Sequence, residues 1–111
     1  MYNKQNLTKL KKMDSLVPEA MKAFWAFDKA AVADGSIPVK FKELIAVAVA
    51  FTTQCPYCIR SHTQAAMKAG ATEPEIMEAI WVAAEMRAGA AYAHSALAID
   101  TMLRAHGAES R

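Results

Sequence analysis

Long apolar runs are missing from this sequence. The longest, Leu44 to Phe51, has eight residues, whereas a helix needs about 20 to cross a bilayer. No apolar stretch follows the charged N-terminal residues, so no secretory signal is predicted. Strand-favouring β-branched residues are few beside 24 alanines, and alanine is the best helix former. We therefore expect an all-α protein that contacts no membrane and resides in the cytoplasm.

An excess of charge of one sign is also missing, since the formal net charge is +2. This low charge and the apolar fraction of 54% exclude an intrinsically disordered chain. The lysines that precede Asp14 make a weakly basic segment with one aromatic residue, Tyr2. We interpret it as the solvated face of a helix, so nucleic acid is not expected among the partners.

Prolines at predicted helix starts and glycines near predicted helix ends divide the chain. We expect a single domain over residues 1–111, folded as a bundle of about five to six helices. Gly89, within the segment Arg87–Ala90, is expected to bend or break the fifth helix. The predicted helices span residues 6–13, 18–33, 38–53, 56–70, 73–86 and 91–105.

The helices differ in which faces are apolar. The second is expected to turn its large side chains inward: Met21, Phe24, Trp25 and Phe27. The third is apolar on all sides after its first turn, which predicts a central buried helix. Thr72 and Glu75 have the spacing of a capping box at the start of the fifth helix.

Cysteine is scarce, and the two that exist, Cys55 and Cys58, are separated by two residues. Closing so short a loop removes little unfolded-state entropy, so redox or metal chemistry is a better explanation than stability. Cys55 falls near the N-cap of the fourth helix, where the helix dipole favours a thiolate. We therefore expect a lowered pKa for the Cys55 thiol.

His62 and Glu43 are the polar residues on otherwise apolar helix faces. His62 lies four residues after Cys58, on the same helix face, and an imidazole there can accept a thiol proton near neutral pH. Taken alone, His62 is better explained as a packed core histidine, and Glu43 as a hydrated first-turn residue. If Glu43 meets His62, however, the acid, the imidazole and the thiols form a proton relay. His94 is interpreted as a packing or surface residue.

Two further classes of function stay open at this point. Cys55, Cys58 and His62 are possible metal ligands, and His94, His106 or an acid would have to supply the fourth ligand of a structural zinc site. Alternatively, the protein is a non-catalytic oligomer in which the cysteines have no chemical role.

The spacing of four residues carries a resemblance to a known family. Eleven residues separate Glu43 from Cys55, two separate Cys55 from Cys58, and three separate Cys58 from His62. This spacing resembles the signature of the alkylhydroperoxidase D (AhpD)-like proteins of the carboxymuconolactone decarboxylase superfamily. The resemblance covers roughly Pro38 to Ala98. It implies an all-α homo-trimer or homo-hexamer with thiol-dependent peroxidase or disulfide-reductase activity, and no bound metal or other cofactor.

The resemblance also implies a role for each residue. Cys58 would attack a hydroperoxide substrate, and Cys55 would resolve the product into a disulfide. His62 would accept the Cys58 proton, and Glu43 would orient the His62 imidazole or pass its proton onward. The helix-dipole argument favours Cys55 as the more acidic thiol, and the two interpretations can coexist if Cys55 faces the reductant and Cys58 faces the peroxide. Tyr57 replaces a histidine of the best-characterised branch, so the reductant, a thiol or a lipoyl-type group, stays open. The superfamily's decarboxylases lack the cysteine pair, so decarboxylation is not expected.

Overall fold

The fold is a chain of helices in a computed structural model that describes residues 4–109. These residues contain no strand, so the all-α prediction is confirmed. Within the same range, no helix combines the length and apolarity needed to cross a membrane. In chain order the elements are a 3₁₀ helix (Lys4–Leu10), α1 (Lys11–Leu16), α2 (Pro18–Val32), α3 (Val39–Thr53), α4 (Pro56–Lys68) and α5 (Glu73–Glu109).

Helix α3 lies at the centre, packed against α4 and α5. Its central position confirms the prediction, but its burial on all sides does not hold, because Phe41, Ile45 and Val49 are each about half exposed. The three helices bury a small apolar cluster formed by Val47, Ala66, Ala71 and Ile76, against which Leu44, Phe51 and Ile80 pack.

The N-terminal helix differs from the prediction of one α-helix over residues 6–13. A 3₁₀ helix covers Lys4–Leu10, and the α-helix begins at Lys11 and runs to Leu16. The 3₁₀ segment contains Asn6 and Thr8, which are poor helix formers because their side chains compete for backbone hydrogen bonds. Thr8 does so here, donating its Oγ1 hydrogen to the Gln5 carbonyl at 2.7 Å.

The predicted break in the C-terminal half is wrong. Helix α5 is continuous for 37 residues, from Glu73 to Glu109, and passes through Arg87–Ala90 without interruption. A glycine inside a helix costs only about 0.5–1 kcal/mol relative to alanine. Several alanines on both sides of Gly89 favour the helix enough to offset that cost.

The inward orientation predicted for the aromatic residues of α2 is also wrong. Phe24, Trp25 and Phe27 are 51%, 55% and 70% exposed, while Met21 is partly buried. Helix α2 packs mainly on α1 and less on α3, so no element within residues 4–109 covers this apolar face.

The start of α5 is fixed by the predicted capping box. Glu75 N–H donates to Thr72 Oγ1 at 3.2 Å, and Thr72 N–H donates to Glu75 Oε1 at 2.8 Å. The other oxygen of Glu75 pairs with Lys40 Nζ at 2.9 Å, which ties α5 to the first turn of α3. The bond from Lys40, followed by the backbone bond from Thr72, holds the pKa of Glu75 below its usual value.

Replacing Gly89 with alanine tests the continuity of α5. In an unbroken helix, Gly89→Ala should raise the free energy of unfolding by about 0.5–1 kcal/mol, because alanine loses less backbone entropy. The added methyl group has room, since its nearest neighbour would be the flexible Glu85 side chain at 3.4 Å. Urea unfolding followed by circular dichroism measures the change, and a destabilised variant would indicate a bend at this position.

The lowered pKa of Glu75 predicts an acid-dependent loss of stability. A carboxyl group with a depressed folded-state pKa stabilises the fold above its unfolded pKa, about 4.3, and that contribution is lost as the pH falls through the folded value. Wild type should therefore exceed Glu75→Gln in thermal midpoint at neutral pH, and the gap should shrink below about pH 4.3. If the difference in thermal midpoint stayed constant as the pH fell below about 4.3, the lowered pKa of Glu75 would not be its cause.

Candidate active site

The two cysteines lie at the start of α4. Cys55 is the N-cap residue and Pro56 is the first residue of the helix, a position where the missing proline N–H is tolerated. The Cys58 N–H donates to Cys55 Sγ at 3.3 Å. The cysteines form a disulfide, with Cα atoms 5.3 Å apart, so the structure represents the oxidised form of the pair.

A tight turn between α3 and α4 brings the cysteines beside α3. Gln54 ends α3 in the left-handed conformation, with φ 58°, and its N–H donates to the Ala50 carbonyl. The Cys55 N–H donates to the same carbonyl at 3.1 Å. Arg87 of α5 donates from Nη1 to the Thr52 carbonyl at 2.6 Å. The last turn of α3 is therefore hydrogen bonded both to the following turn and to α5. These bonds fix the position at which the cysteine pair begins.

Glu43 and His62 meet between α3 and α4. Glu43 Oε2 lies 2.6 Å from His62 Nδ1, and Glu43 is the buried charged residue of the described part of the chain, 6% exposed. A buried carboxylate needs such a partner, because its desolvation is otherwise uncompensated. In the tautomer in which Nδ1 donates to the Glu43 carboxylate, Nε2 is left to accept a proton.

A shallow pocket of about 180 Å³ lies between α3 and α4. Cys58 and His62, one helical turn apart on α4, form its polar side. Helix α3 forms the other side with residues at helical spacing: Ala46, Val49, Ala50 and Thr53. Cys55 is not part of this lining, so Cys58 is the sulfur that faces the pocket.

Sequence reasoning anticipated the polar residues of the site but not its wall. Glu43 and His62 are hydrogen bonded, and Cys58, bonded to Cys55, shares the pocket with His62. The wall residues repeat at positions i, i+3, i+4 and i+7 from Ala46. That periodicity could have identified them, but it was obscured because α3 is apolar all round. Arg87 had no sequence signal, since its contact spans 35 residues.

The arrangement of residues 4–109 does not support the metal-site alternative. No group of three or more His, Cys, Asp or Glu side chains within that range is arranged to hold a metal ion. His94 and His106, considered as further ligands, are exposed on the second half of α5. The interpretation of His94 as a surface residue is consistent with this position.

The fold and this site define a member of a known family. The model of the carboxymuconolactone decarboxylase family matches residues 18–101, which is most of the chain. The protein belongs to that family, as the residue spacing indicated.

Individual relatives cover three quarters or more of the chain. A protein of Paracoccus denitrificans named "uncharacterized protein 4 in cox locus" is 56% identical over 86 residues, which are 78% of each chain. An uncharacterized protein of Cupriavidus necator is 43% identical over 90 residues, covering 79% of this chain and 80% of the other.

Two solved structures share the fold. The crystal structure of an apo carboxymuconolactone decarboxylase family protein from Legionella pneumophila has a TM-score of 0.71 and 41% identity, and the match covers 75% of this chain and 74% of that one. A protein from Methanobacterium thermoautotrophicum has a TM-score of 0.70 and 36% identity, covering 74% and 92% of the two chains.

Proposed function

We propose that this protein is a thiol-dependent peroxidase that reduces hydroperoxides with the Cys55/Cys58 pair. The observation that carries the proposal is the 2.6 Å contact of Glu43 Oε2 with His62 Nδ1, at a pocket that His62 and Cys58 line together. A base and a redox-active sulfur line one small space, and an acid is hydrogen bonded to the base. Membership of a family that includes AhpD-like peroxidases supports this chemistry.

In the first half of the reaction, His62 Nε2 takes the proton of the Cys58 thiol. The Cys58 thiolate attacks the terminal oxygen of ROOH, so that an S–O bond forms and the O–O bond breaks. The alkoxide leaving group takes up the proton and departs as ROH. Cys58 is then a sulfenic acid, oxidised by two electrons, and the peroxide has been reduced by two.

In the second half, the Cys55 thiol attacks the sulfur of the Cys58 sulfenic acid. The S–S bond forms, the S–O bond breaks, and water leaves with the Cys55 proton. The product is the disulfide at the start of α4. A dithiol or lipoyl-type reductant must then supply two electrons and two protons to restore both thiols. The cycle needs no bound metal or other cofactor, and a reducing cytoplasm would suit it.

The same pair also supports a disulfide-reductase reaction. In that direction the reduced Cys55/Cys58 pair would donate two electrons to an external disulfide through a mixed disulfide. The peroxidase reaction is favoured because the pocket is small, about 180 Å³, and three of its four wall residues from α3 are apolar: Ala46, Val49 and Ala50. Such a wall fits the alkyl group of a small hydroperoxide better than a peptide disulfide.

Single cysteine variants separate the attacking thiol from the resolving thiol. Cys58→Ser should abolish consumption of cumene hydroperoxide, because a serine hydroxyl is far less acidic than a thiol. Cys55→Ser should allow one turnover and leave a sulfenic acid on Cys58, detected by dimedone labelling and mass spectrometry. The double serine variant is the matched control.

The opposite pattern, with Cys58→Ser active and Cys55→Ser inactive, would make Cys55 the attacking thiol. Full activity in both single variants would exclude the thiol mechanism altogether.

Variants of His62 and Glu43 test the proton relay. His62→Ala should slow the oxidation of Cys58 by about 10²–10⁴-fold, the usual contribution of a positioned general base. Glu43→Gln should slow it less, because Glu43 acts through the imidazole. If the two residues act as a unit, the double variant should resemble His62→Ala alone rather than show the product of both losses.

Stopped-flow measurements of the peroxide reaction give these rates. His94→Ala and Glu78→Gln, both at exposed positions of α5, are the matched controls and should react at the wild-type rate. A His62→Ala variant as fast as His94→Ala would remove His62 from the mechanism.

A further inference from the structure

The pocket between α3 and α4 has a hydroxyl group in its wall, that of Thr53. The other three wall residues from α3 are alanine or valine, whose side chains carry no hydrogen-bond donor, whereas a threonine hydroxyl both donates and accepts. The α4 side of the pocket supplies Cys58 and His62. Among the described residues that line the pocket, Thr53 is therefore the polar side chain to which the proposed reaction assigns no role.

Thr53 and Cys58 lie at the same end of the helix pair. Thr53 is the last residue of α3, and Cys58 belongs to the first turn of α4. Only Gln54 and Cys55 stand between the two helices, and the turn that they form is held by bonds to the Ala50 carbonyl. A substrate that approaches the Cys58 sulfur through the pocket therefore meets the end of the wall where Thr53 lies.

The hydroxyl group of Thr53 is weakly bonded within its own helix. Its Oγ1 lies 3.4 Å from the Ala50 carbonyl oxygen, which is long beside the usual O–H···O distance of about 2.7–2.8 Å. That oxygen has two lone pairs and already accepts the N–H groups of Gln54 and Cys55. Because its acceptor is already satisfied, the Thr53 hydroxyl can turn to a ligand in the pocket and lose little.

Thr52, the preceding residue, is bonded quite differently. Its Oγ1 donates to the Val49 carbonyl at 2.6 Å, and Thr52 is not among the residues that line the pocket. The last turn of α3 thus carries two adjacent threonines, of which one has its hydroxyl engaged and the other has its hydroxyl available at the pocket. Thr52 is therefore a matched control for Thr53.

The proposed reaction contains a step that such a donor assists. When the Cys58 thiolate attacks ROOH, the O–O bond breaks and its electron pair goes to the leaving oxygen, which gains negative charge. A hydrogen-bond donor placed at that oxygen stabilises the charge in the transition state. His62 handles the proton of the Cys58 thiol, so a second group is needed to hold the leaving oxygen while the bond breaks.

We infer that Thr53 is a catalytic residue whose hydroxyl group donates a hydrogen bond to the leaving oxygen of the hydroperoxide. This inference rests on the proposed function and adds the group that stabilises the leaving alkoxide. Thr53 keeps its own proton throughout, and the proton that His62 took from Cys58 completes the alcohol ROH. The atoms and electrons of the reaction balance as before.

The inferred contact also orients the substrate. Thr53 and Ala46 are the two ends of the α3 wall, seven residues apart, or about 10 Å along the helix axis. The alkyl group of ROOH is attached to the leaving oxygen, so with that oxygen at Thr53 it extends along the apolar wall toward Ala46. A small alkyl hydroperoxide is the class of substrate that satisfies both contacts.

Replacing Thr53 with valine tests the hydrogen bond, since valine keeps the shape of threonine and lacks the hydroxyl group. Stopped-flow oxidation of reduced Thr53→Val by cumene hydroperoxide should be slower than that of wild type by about 10–100-fold, because a donor to developing charge is lost. Thr53→Ser keeps a hydroxyl group and should recover most of the wild-type rate. Thr52→Val is the matched control and should react at the wild-type rate.

A second oxidant separates a catalytic role from a structural one. Peracetic acid releases acetate, which is a much weaker base than an alkoxide, so its O–O bond breaks with little help from a donor. Thr53→Val should therefore react with peracetic acid at close to the wild-type rate. A variant in which Cys58 or His62 had moved would instead be slowed with both oxidants. Circular dichroism confirms that each variant is folded.

Three results would overturn the role of Thr53 and leave the proposed function standing. These are equal rates for Thr53→Val and wild type with cumene hydroperoxide, equal losses with the two oxidants, and a loss in Thr53→Ser as large as that in Thr53→Val. A wild-type protein that cumene hydroperoxide does not oxidise would instead overturn the proposed function, and the role of Thr53 with it.

Discussion

The buried pair of Glu43 and His62 is the interaction on which the site depends. Leaving the Glu43 carboxylate buried without a partner would cost on the order of several kcal/mol, so α4 has to pack where His62 can reach it. That requirement fixes the facing sides of α3 and α4, and it brings Cys58, one turn before His62, to the same side. A single polar contact thus sets both the helix packing and the position of the sulfur.

The turn before the cysteines makes this packing possible. Gln54 takes the left-handed conformation with φ 58°, and the next residue already caps α4. So short a connection makes α3 and α4 neighbours, and the bond from Arg87 to the Thr52 carbonyl adds support from α5. The site is therefore assembled from three helices, although its polar groups come from two of them.

Local patterns predicted well what depends on local physics. Alanine content predicted the all-α fold, prolines predicted the starts of α2 and α4, and the Thr72/Glu75 capping box formed as expected. The contact between Glu43 and His62 was expected from the resemblance to the family, because the two residues taken alone left it open. Gly89 was misjudged because a local helix breaker was not weighed against the helix preference of its neighbours. The aromatic face of α2 was misjudged because apolar periodicity identifies the apolar face of a helix. It does not show whether another element of the same chain packs against that face.

The central claim is that one hydroperoxide oxidises one cysteine pair within one chain. The most direct measurement is a thiol titration of the reduced wild-type protein before and after one equivalent of cumene hydroperoxide, with mass spectrometry of the product. The account predicts the loss of two thiols per chain, one alcohol released per disulfide, and a mass lower by about two hydrogens. Two unreacted thiols per chain, or a disulfide that links separate chains, would contradict it.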